Sequence, residues 1–409
     1  VTHFRPDLGN APDRRARAAV AVLFAANGAL FTGLLPRYPE IKDQLGLSGT
    51  AFGLSVAAFS AGALFSGLTA ARLIRRFGSA RVAVGGSVLI AVFTLAAGVT
   101  AAPAGFAVAL FAAGAADSVT DVAQNAHGLR VQRNYGRSII NSMHAVWSVG
   151  AIFGGVVGAA AIALDISRGV QLAGSGAVFA TACLLSYRFL LPGPDHDIRL
   201  TANPAHRSRP TSKTYATVAA LAVLAIAGAA VEDAGSSWAT MYLRDELAAP
   251  AAIAPFGYVA LVGFQFLGRL LGDRLVDRFG ERAVVRCGGL LAAAGMSTAL
   301  ALPGVPATIC GFAAAGFGVA AVVPAAFHRA DTVPGLRAGT GLTLVTWLMR
   351  VGFLVSPSVV GAVSDATSLR VGLLIVPVAG VVIAVLATVL PPASMRPRFT
   401  RSPRRTPLM

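Results

Sequence analysis

The sequence predicts an all-α integral membrane protein of twelve transmembrane helices, arranged as two pseudo-symmetric six-helix bundles. Three observations carry that prediction: long apolar blocks, a one-sided distribution of basic residues, and an internal repeat. Of the 409 residues, 55% are hydrophobic and only 13% charged, against about 25% charged in a soluble globular chain. The solvent of most of this chain is therefore lipid.

A spanning helix needs about 20 mostly apolar residues, because the hydrocarbon offers no water to satisfy a free backbone group. Such blocks run near 17–38, 49–73, 81–101, 104–128, 138–163 and 169–191, and again near 215–241, 251–273, 283–302, 305–327, 338–363 and 369–391. They predict bundles at 17–191 and 215–391, joined by a polar, proline-rich linker at 192–214 and flanked by tails at 1–16 and 392–409. Lys and Arg are retained on the cytoplasmic side of short loops. Arg37, Lys42, Arg168, Arg244 and Arg370 fall on one side, Arg350 lies inside a span, and about 28 others share the side of the termini. Both termini are thus expected in the cytoplasm. A shift of about 202 residues lays Arg72-Leu73-Ile74-Arg75-Arg76-Phe77-Gly78 on Arg274-Leu275-Val276-Asp277-Arg278-Phe279-Gly280, and Val149-Gly150 on Val351-Gly352. Two registrations at one offset define the two halves as parallel repeats.

Several function classes are disfavoured. The net charge of +16 sits between apolar spans, without the aromatic-interleaved basic surface that nucleic acid requires. Cys183, Cys287 and Cys310 are odd in number, have no Cys-x-x-Cys spacing, and read as packing residues. No phosphate-binding Gly-x-x-x-x-Gly-Lys-Ser/Thr loop and no metalloprotease His-Glu-x-x-His set occurs, so no enzyme, metal or bound cofactor is expected.

The loop from Gly272 to Arg282, Gly-Asp-Arg-Leu-Val-Asp-Arg-Phe-Gly-Glu-Arg, resembles the acidic and basic signature that follows spans two and eight in the major facilitator superfamily. The resemblance implies that Asp273, Arg274, Asp277 and Arg278 latch one conformation from the cytoplasmic side. In the first half Arg75 stands where that family usually has Asp. Asp121-Val122-Ala123-Gln124-Asn125, Asn141 to Gly150, Glu232 with Trp238 to Asp245, and Gly352 to Pro357 are similar to the fucose-permease-like bacterial branch. This chain departs from its relatives at Ser237, before the span-seven tryptophan, and at Ile152-Phe153-Gly154-Gly155, where antiporter members carry a Gly-Pro pair. The resemblance implies a secondary active transporter of the bacterial cytoplasmic membrane, a monomer in the bilayer. It would move a small polar solute, such as a sugar or related hydroxylated compound, by alternating access as a symporter drawing on the proton gradient. Proton-antiport efflux of a small organic molecule and a non-transporting sensor or scaffold are the rival readings.

A charge inside the hydrocarbon costs at least a few kcal/mol, so intramembrane ionisable residues are functional candidates by default. Asp117, Asp121 and Asn125 share one face of span four by their spacing of four. At about 1.5 Å per residue Asp121 and His144 lie at similar depths, and Asp121, Asn125, Asn141 and His144 are expected to cluster. Asp117, Asp121 and His144 are the candidates for proton coupling; the competing reading makes Asp121 and His144 a hydrogen-bonded tie between helices. In the second half, Glu232 and Asp233 lie mid-span in helix seven and Arg350 mid-span in helix eleven. Adjacent helical residues point about 100° apart, so at most one of those acids can face Arg350 squarely. The set is either a structural ion pair or a substrate site in which the planar guanidinium fork recognises the solute. Asn27, whose amide offers donor and acceptor, and Trp147, whose ring would stack on a sugar, complete the substrate-binding candidates; packing is the alternative for both. Gly150, Gly154 and Gly158 recur at intervals of four, which lets helices approach closely.

Overall fold

The computed structural model describes residues 11–135, 139–193, 211–336 and 340–392, and no strand occurs among them. The first half comprises α1 (Ala11–Thr32), α2 (Gly49–Phe77), α3 (Ser79–Val99), α4 (Pro103–Tyr135), α5 (Ile140–Ala163) and α6 (Arg168–Ser186). The second comprises α7 (Ser212–Met241), α8 (Phe256–Phe279), α9 (Glu281–Ala301), α10 (Val305–Val319), α11 (Thr340–Ala366) and α12 (Ile375–Leu386). Among the described residues eleven helical stretches are long and apolar enough to cross a membrane, and the shorter apolar run Phe256–Gly272 of α8 brings the set to the expected twelve.

Prolines account for most departures from the expected boundaries. The first helix stops at Thr32 rather than running to 38, and the chain turns through Leu35–Arg37 into a short helix Tyr38–Gln44, with Pro36 and Pro39 in the opening turns. Span ten breaks after Val319 and resumes as Val322–Asp331; span twelve is preceded by a separate turn, Leu369–Gly372. Each break falls at the residue four before a proline, Pro324 or Pro377, whose missing N–H and ring clash disrupt that position. At the other ends, α1 begins inside the expected tail and α7 inside the expected linker, where Thr211 and Thr214 form a reciprocal capping box.

The internal repeat is visible in the backbone. Gly78 ends α2 at φ 83°, ψ 148° and Gly280 ends α8 at φ 84°, ψ 154°, and each N–H returns to the carbonyl four residues back, Ile74 or Val276. A side chain at either position would be strained, so glycine is what keeps this turn alike in both halves. Glycine also sets the closest helix pair. A Cβ on Gly150 or Gly154 of α5 would run into the carbonyl of Ala25 or Ala29 of α1, and one on Gly28 into Trp147 O. Outward faces carry large apolar side chains such as Phe65, Val108, Leu270 and Val385, as a lipid-facing surface requires. Cys287 and Cys310 belong to that outer surface and only Cys183 is buried, which corrects the packing expectation for two of the three.

The halves meet at the side away from the start of α1. There Gly49 and Gly53 of α2 press against Gly361 and Pro357 of α11, and a Cβ on Gly53 or Gly361 would collide with the facing carbonyl. The carboxylate of Asp365 accepts hydrogen bonds from the N–H groups of Gly49 (2.6 Å) and Thr50 (2.7 Å), the first of α2. Phe52 of α2 meets Trp238 of α7 edge to face at 5.3 Å. Arg244, beyond α7, pairs with Asp43 at 2.7 Å. Gly155 of α5 lies against Tyr258 of α8.

Candidate functional site

Beneath this seam, between the halves, lies a cavity of about 320 Å³. Its walls are largely aromatic: Phe31 and Phe59 stack at 4.1 Å, and Tyr38, Trp147, Tyr258 and Phe353 complete the ring. Polar groups come from α7 (Glu232, Asp233, Ser236, Ser237), α8 (Gln265), α11 (Arg350), α1 (Thr32) and α2 (Ser60). A few polar groups in an apolar, mostly aromatic enclosure are what orient a small solute.

One first-half network connects that wall to an acid. The Trp147 indole N–H donates to Asn27 Oδ1 at 2.7 Å, and the Asn27 amide donates to Asp117 Oδ1 at 2.8 Å. An indole nitrogen is donor only, so the orientation of the Asn27 amide is fixed: its carbonyl faces Trp147 and its N–H₂ faces the acid. Asn27 is 4% exposed and stands behind the cavity wall, with Trp147 between it and the cavity. A turn further along α4, Asp121 accepts from the Asn125 amide at 3.0 Å, while the same amide also reaches the Asp121 backbone carbonyl at 2.9 Å. His144 is exposed, packs edge to face on Phe24 at 5.3 Å, and lies within electrostatic reach of Asp121. Three of the four residues expected to cluster, Asp121, Asn125 and His144, are thus neighbours. The side chain of Asn141 lies outside those described.

The second-half trio is arranged differently from the expected pairing. Glu232 accepts from Gln265 at 2.8 Å and stands 3.8 Å from Arg269, while Asp233 accepts from Ser237 at 3.2 Å. Arg350 turns away from both acids into the first half, where its guanidinium donates at 3.4–3.5 Å to Ala63 O and Ser118 Oγ and lies within electrostatic reach of Asp117 and Asp121. The small residues Ala63 and Gly67 leave it room; a Cβ on Gly67 would come within 3.2 Å of the guanidinium. The expected ion pair of Arg350 with Glu232 or Asp233 is therefore replaced by an approach to the acids of α4. Gln265 and Tyr258 were not singled out in the sequence, although Gln265 between Phe264 and Phe266 is a polar residue in an apolar span and carried that signal. Of the expected latch, Arg274, Asp277 and Arg278 are exposed at the end of α8, Arg278 lies over the Phe279 ring at 5.3 Å, and the side chain of Asp273 lies outside those described.

Two helical repeats enclosing a polar cavity at their interface define a membrane transport protein. The family model described as Major Facilitator Superfamily matches residues 20–275 and 221–408, and the chain belongs to that family. It is 28% identical over 375 residues to "Membrane protein MosC" of Rhizobium meliloti, covering 90% of this chain and 88% of that protein. Among solved structures, the nucleoside transporter NupG superposes with a TM-score of 0.72 at 14% identity, covering 93% of this chain and 98% of that one. The D-xylose-proton symporter gives 0.71 at 17% identity, with 93% and 98% covered. FucP in the outward conformation gives 0.60 at 18%, with 91% and 97% covered. These likenesses establish the fold of the family's transporters.

Proposed function

We propose that this chain is a proton-coupled symporter of the bacterial cytoplasmic membrane that carries a small hydroxylated solute by alternating access, with both termini in the cytoplasm. The observation that carries the reading is the continuous chain Asp117–Asn27–Trp147, which ties an intramembrane acid to the aromatic wall of the central cavity. Protonation of Asp117 weakens its acceptor oxygen, loosens Asn27, and so frees the Trp147 ring that the solute meets. Asp121, with Asn125 and His144 beside it, is a second proton site on the same helix, and Arg350 is the counter-charge both acids face. Glu232, Asp233 and Gln265 supply acceptors and a donor suited to hydroxyl groups. On this reading, the seam through Asp365 is the closed outer gate of an inward-facing state. The printed descriptions of two fold neighbours, a D-xylose-proton symporter and a nucleoside transporter, are in keeping with a hydroxylated cargo.

The test is proton movement into proteoliposomes holding a trapped pH dye, with sugars, polyols, nucleosides, organic acids and cationic drugs added outside one at a time. Symport predicts internal acidification by one class of solute, abolished in Asp121→Asn and Asp117→Asn. Internal alkalinisation on adding a solute would instead identify antiport, and solute uptake with no pH change would identify facilitated diffusion.

A further inference from the structure

On the side of the bundle where α1 starts, between the ends of α2, α4 and α6 and the beginning of α3, lies a second cavity of about 780 Å³. Five arginines line it: Arg75, Arg76, Arg81, Arg130 and Arg188. Some are partly engaged, since Arg130 donates to the carbonyls of Pro192 and Gly193 and Arg81 donates to Tyr187 Oη at 3.1 Å. Those partners are neutral and leave the positive charge uncompensated. The α3 N-terminus opens into the same cavity through Gly78, Ser79 and Ala80, with no side-chain cap and no acidic residue in its first turn, and so adds the positive end of a helix dipole.

The other half of the molecule provides an internal control. At the repeat offset of 202, Arg75, Arg81, Arg130 and Arg188 correspond to Asp277, Ala283, Thr332 and Leu390, and Ser79 corresponds to Glu281. In the second half the helix dipole is thus met by the chain's own Glu281, in the first turn of α9. The first half has lost both acids and gained the arginines. An anion from outside the fold is what the first-half cavity lacks.

Its chemistry follows from what adjoins it. An apolar groove of about 670 Å³ between α2, α3 and α4 shares Phe77 and Arg81 with the arginine cavity and continues along Leu89, Phe93 and Phe111 toward the middle of the bundle. Phe77, Tyr187 and Phe189 are exposed at its head, 41–46% of their surface, at the level where aromatic rings border a membrane. We propose that this composite site holds an anionic phospholipid, its phosphate among the arginines at the start of α3 and an acyl chain in the groove. The second half keeps a matching apolar groove, lined by Phe279, Val284, Cys287, Gly288 and Leu291, but heads it with Glu281 and Asp277. It therefore takes lipid without selecting for negative charge.

The experiment uses the full chain, delipidated in a neutral detergent and titrated with phosphatidylglycerol, phosphatidylcholine or inorganic phosphate, with retained lipid counted by native mass spectrometry and melting temperature followed in parallel. Phosphatidylglycerol is expected to be retained and to raise the melting temperature saturably, whereas phosphatidylcholine and phosphate do neither. Arg75→Gln with Arg81→Gln should weaken that binding by about fivefold per arginine removed, while Arg274→Gln with Arg278→Gln leaves it unchanged. The charge-retaining pair Arg75→Lys with Arg81→Lys should keep most of it, which separates loss of charge from loss of fold. Equal retention of phosphatidylcholine, equal loss in the two Gln pairs, or inorganic phosphate reproducing the full thermal shift would each overturn the proposal, the last by showing a free-anion site.

Discussion

Asn27 shows how little latitude a buried amide has once both of its ends are engaged. Replacing it with Leu leaves the Trp147 N–H and an Asp117 oxygen without their partner at the same time, and each such group costs about 1–3 kcal/mol. Asn27→Leu should therefore lose solute-driven acidification and also melt several degrees lower, whereas Trp147→Phe, which removes the donor and keeps the ring, should retain coupling with altered solute affinity. Equilibrium counterflow beside the pH-dye assay separates the two, since counterflow needs only binding and reorientation. If Asn27→Leu couples as well as the parent, the chain from Asp117 to Trp147 carries no signal. Sequence alone reached the residue types at this site and missed their partners. Asn27, Asp117, Trp147 and Arg350 are legible as costly polar residues in apolar spans, but the bonds that define them join positions 90, 120 and 232 residues apart. Spacing along one helix says which residues share a face; it says nothing about which helix that face meets, and so Arg350 was matched to the acids of α7 when it turns to those of α4.

At the scale of single helices, glycine divides into two populations that physics treats oppositely. Gly150 and Gly154 hold α5 against the backbone of α1, so a side chain there must push two helices apart. Gly150→Val is expected to destabilise by about 1–3 kcal/mol through overpacking. By contrast Gly174, on α6, faces open space and is exposed; Gly174→Ala should stabilise by about 0.5–1 kcal/mol by restricting the unfolded backbone. Thermal melts of the two variants in one detergent check both signs, and a Gly150→Val protein as stable as the parent would mean that the helices separate without cost. The spacing of Gly150, Gly154 and Gly158 was readable because close approach requires small residues at helical intervals. The turn at Gly78 and Gly280 was readable too, because a left-handed backbone conformation demands glycine and the repeat supplies it twice. The helix breaks before Pro324 and Pro377 were not read, since apolar blocks counted by hydropathy conceal an interruption of two residues that carries no charge.

For the whole molecule, the question is what holds the two halves together on the sealed side, and the magnitudes separate the candidates. Arg244 and Asp43 form the pair most noticeable by charge, yet their side chains are 26% and 58% exposed, and an ion pair so open to solvent contributes about 0–1 kcal/mol. Asp365 instead accepts two backbone N–H groups at the start of α2, where charge-assisted bonds and the helix dipole act together, at about 1.5–3 kcal/mol for each such bond. The glycine contacts beside it add shape, bringing α2 and α11 close enough for a short carboxylate to span the gap. Opening the cavity toward this side requires those two bonds to break, so Asp365→Ala should shift the population toward the opposite opening by about tenfold or more, while Asp43→Asn shifts it little. The readout is the labelling rate of a cysteine placed on the cavity wall, Ser60→Cys, by a membrane-impermeant thiol reagent added on the sealed side, in a background with Cys183, Cys287 and Cys310 replaced by Ser. Faster labelling in Asp365→Ala than in Asp43→Asn places the gate at the α2–α11 seam. Equal rates in both would mean that packing of the aromatic contact between Phe52 and Trp238, rather than the carboxylate, keeps the halves closed.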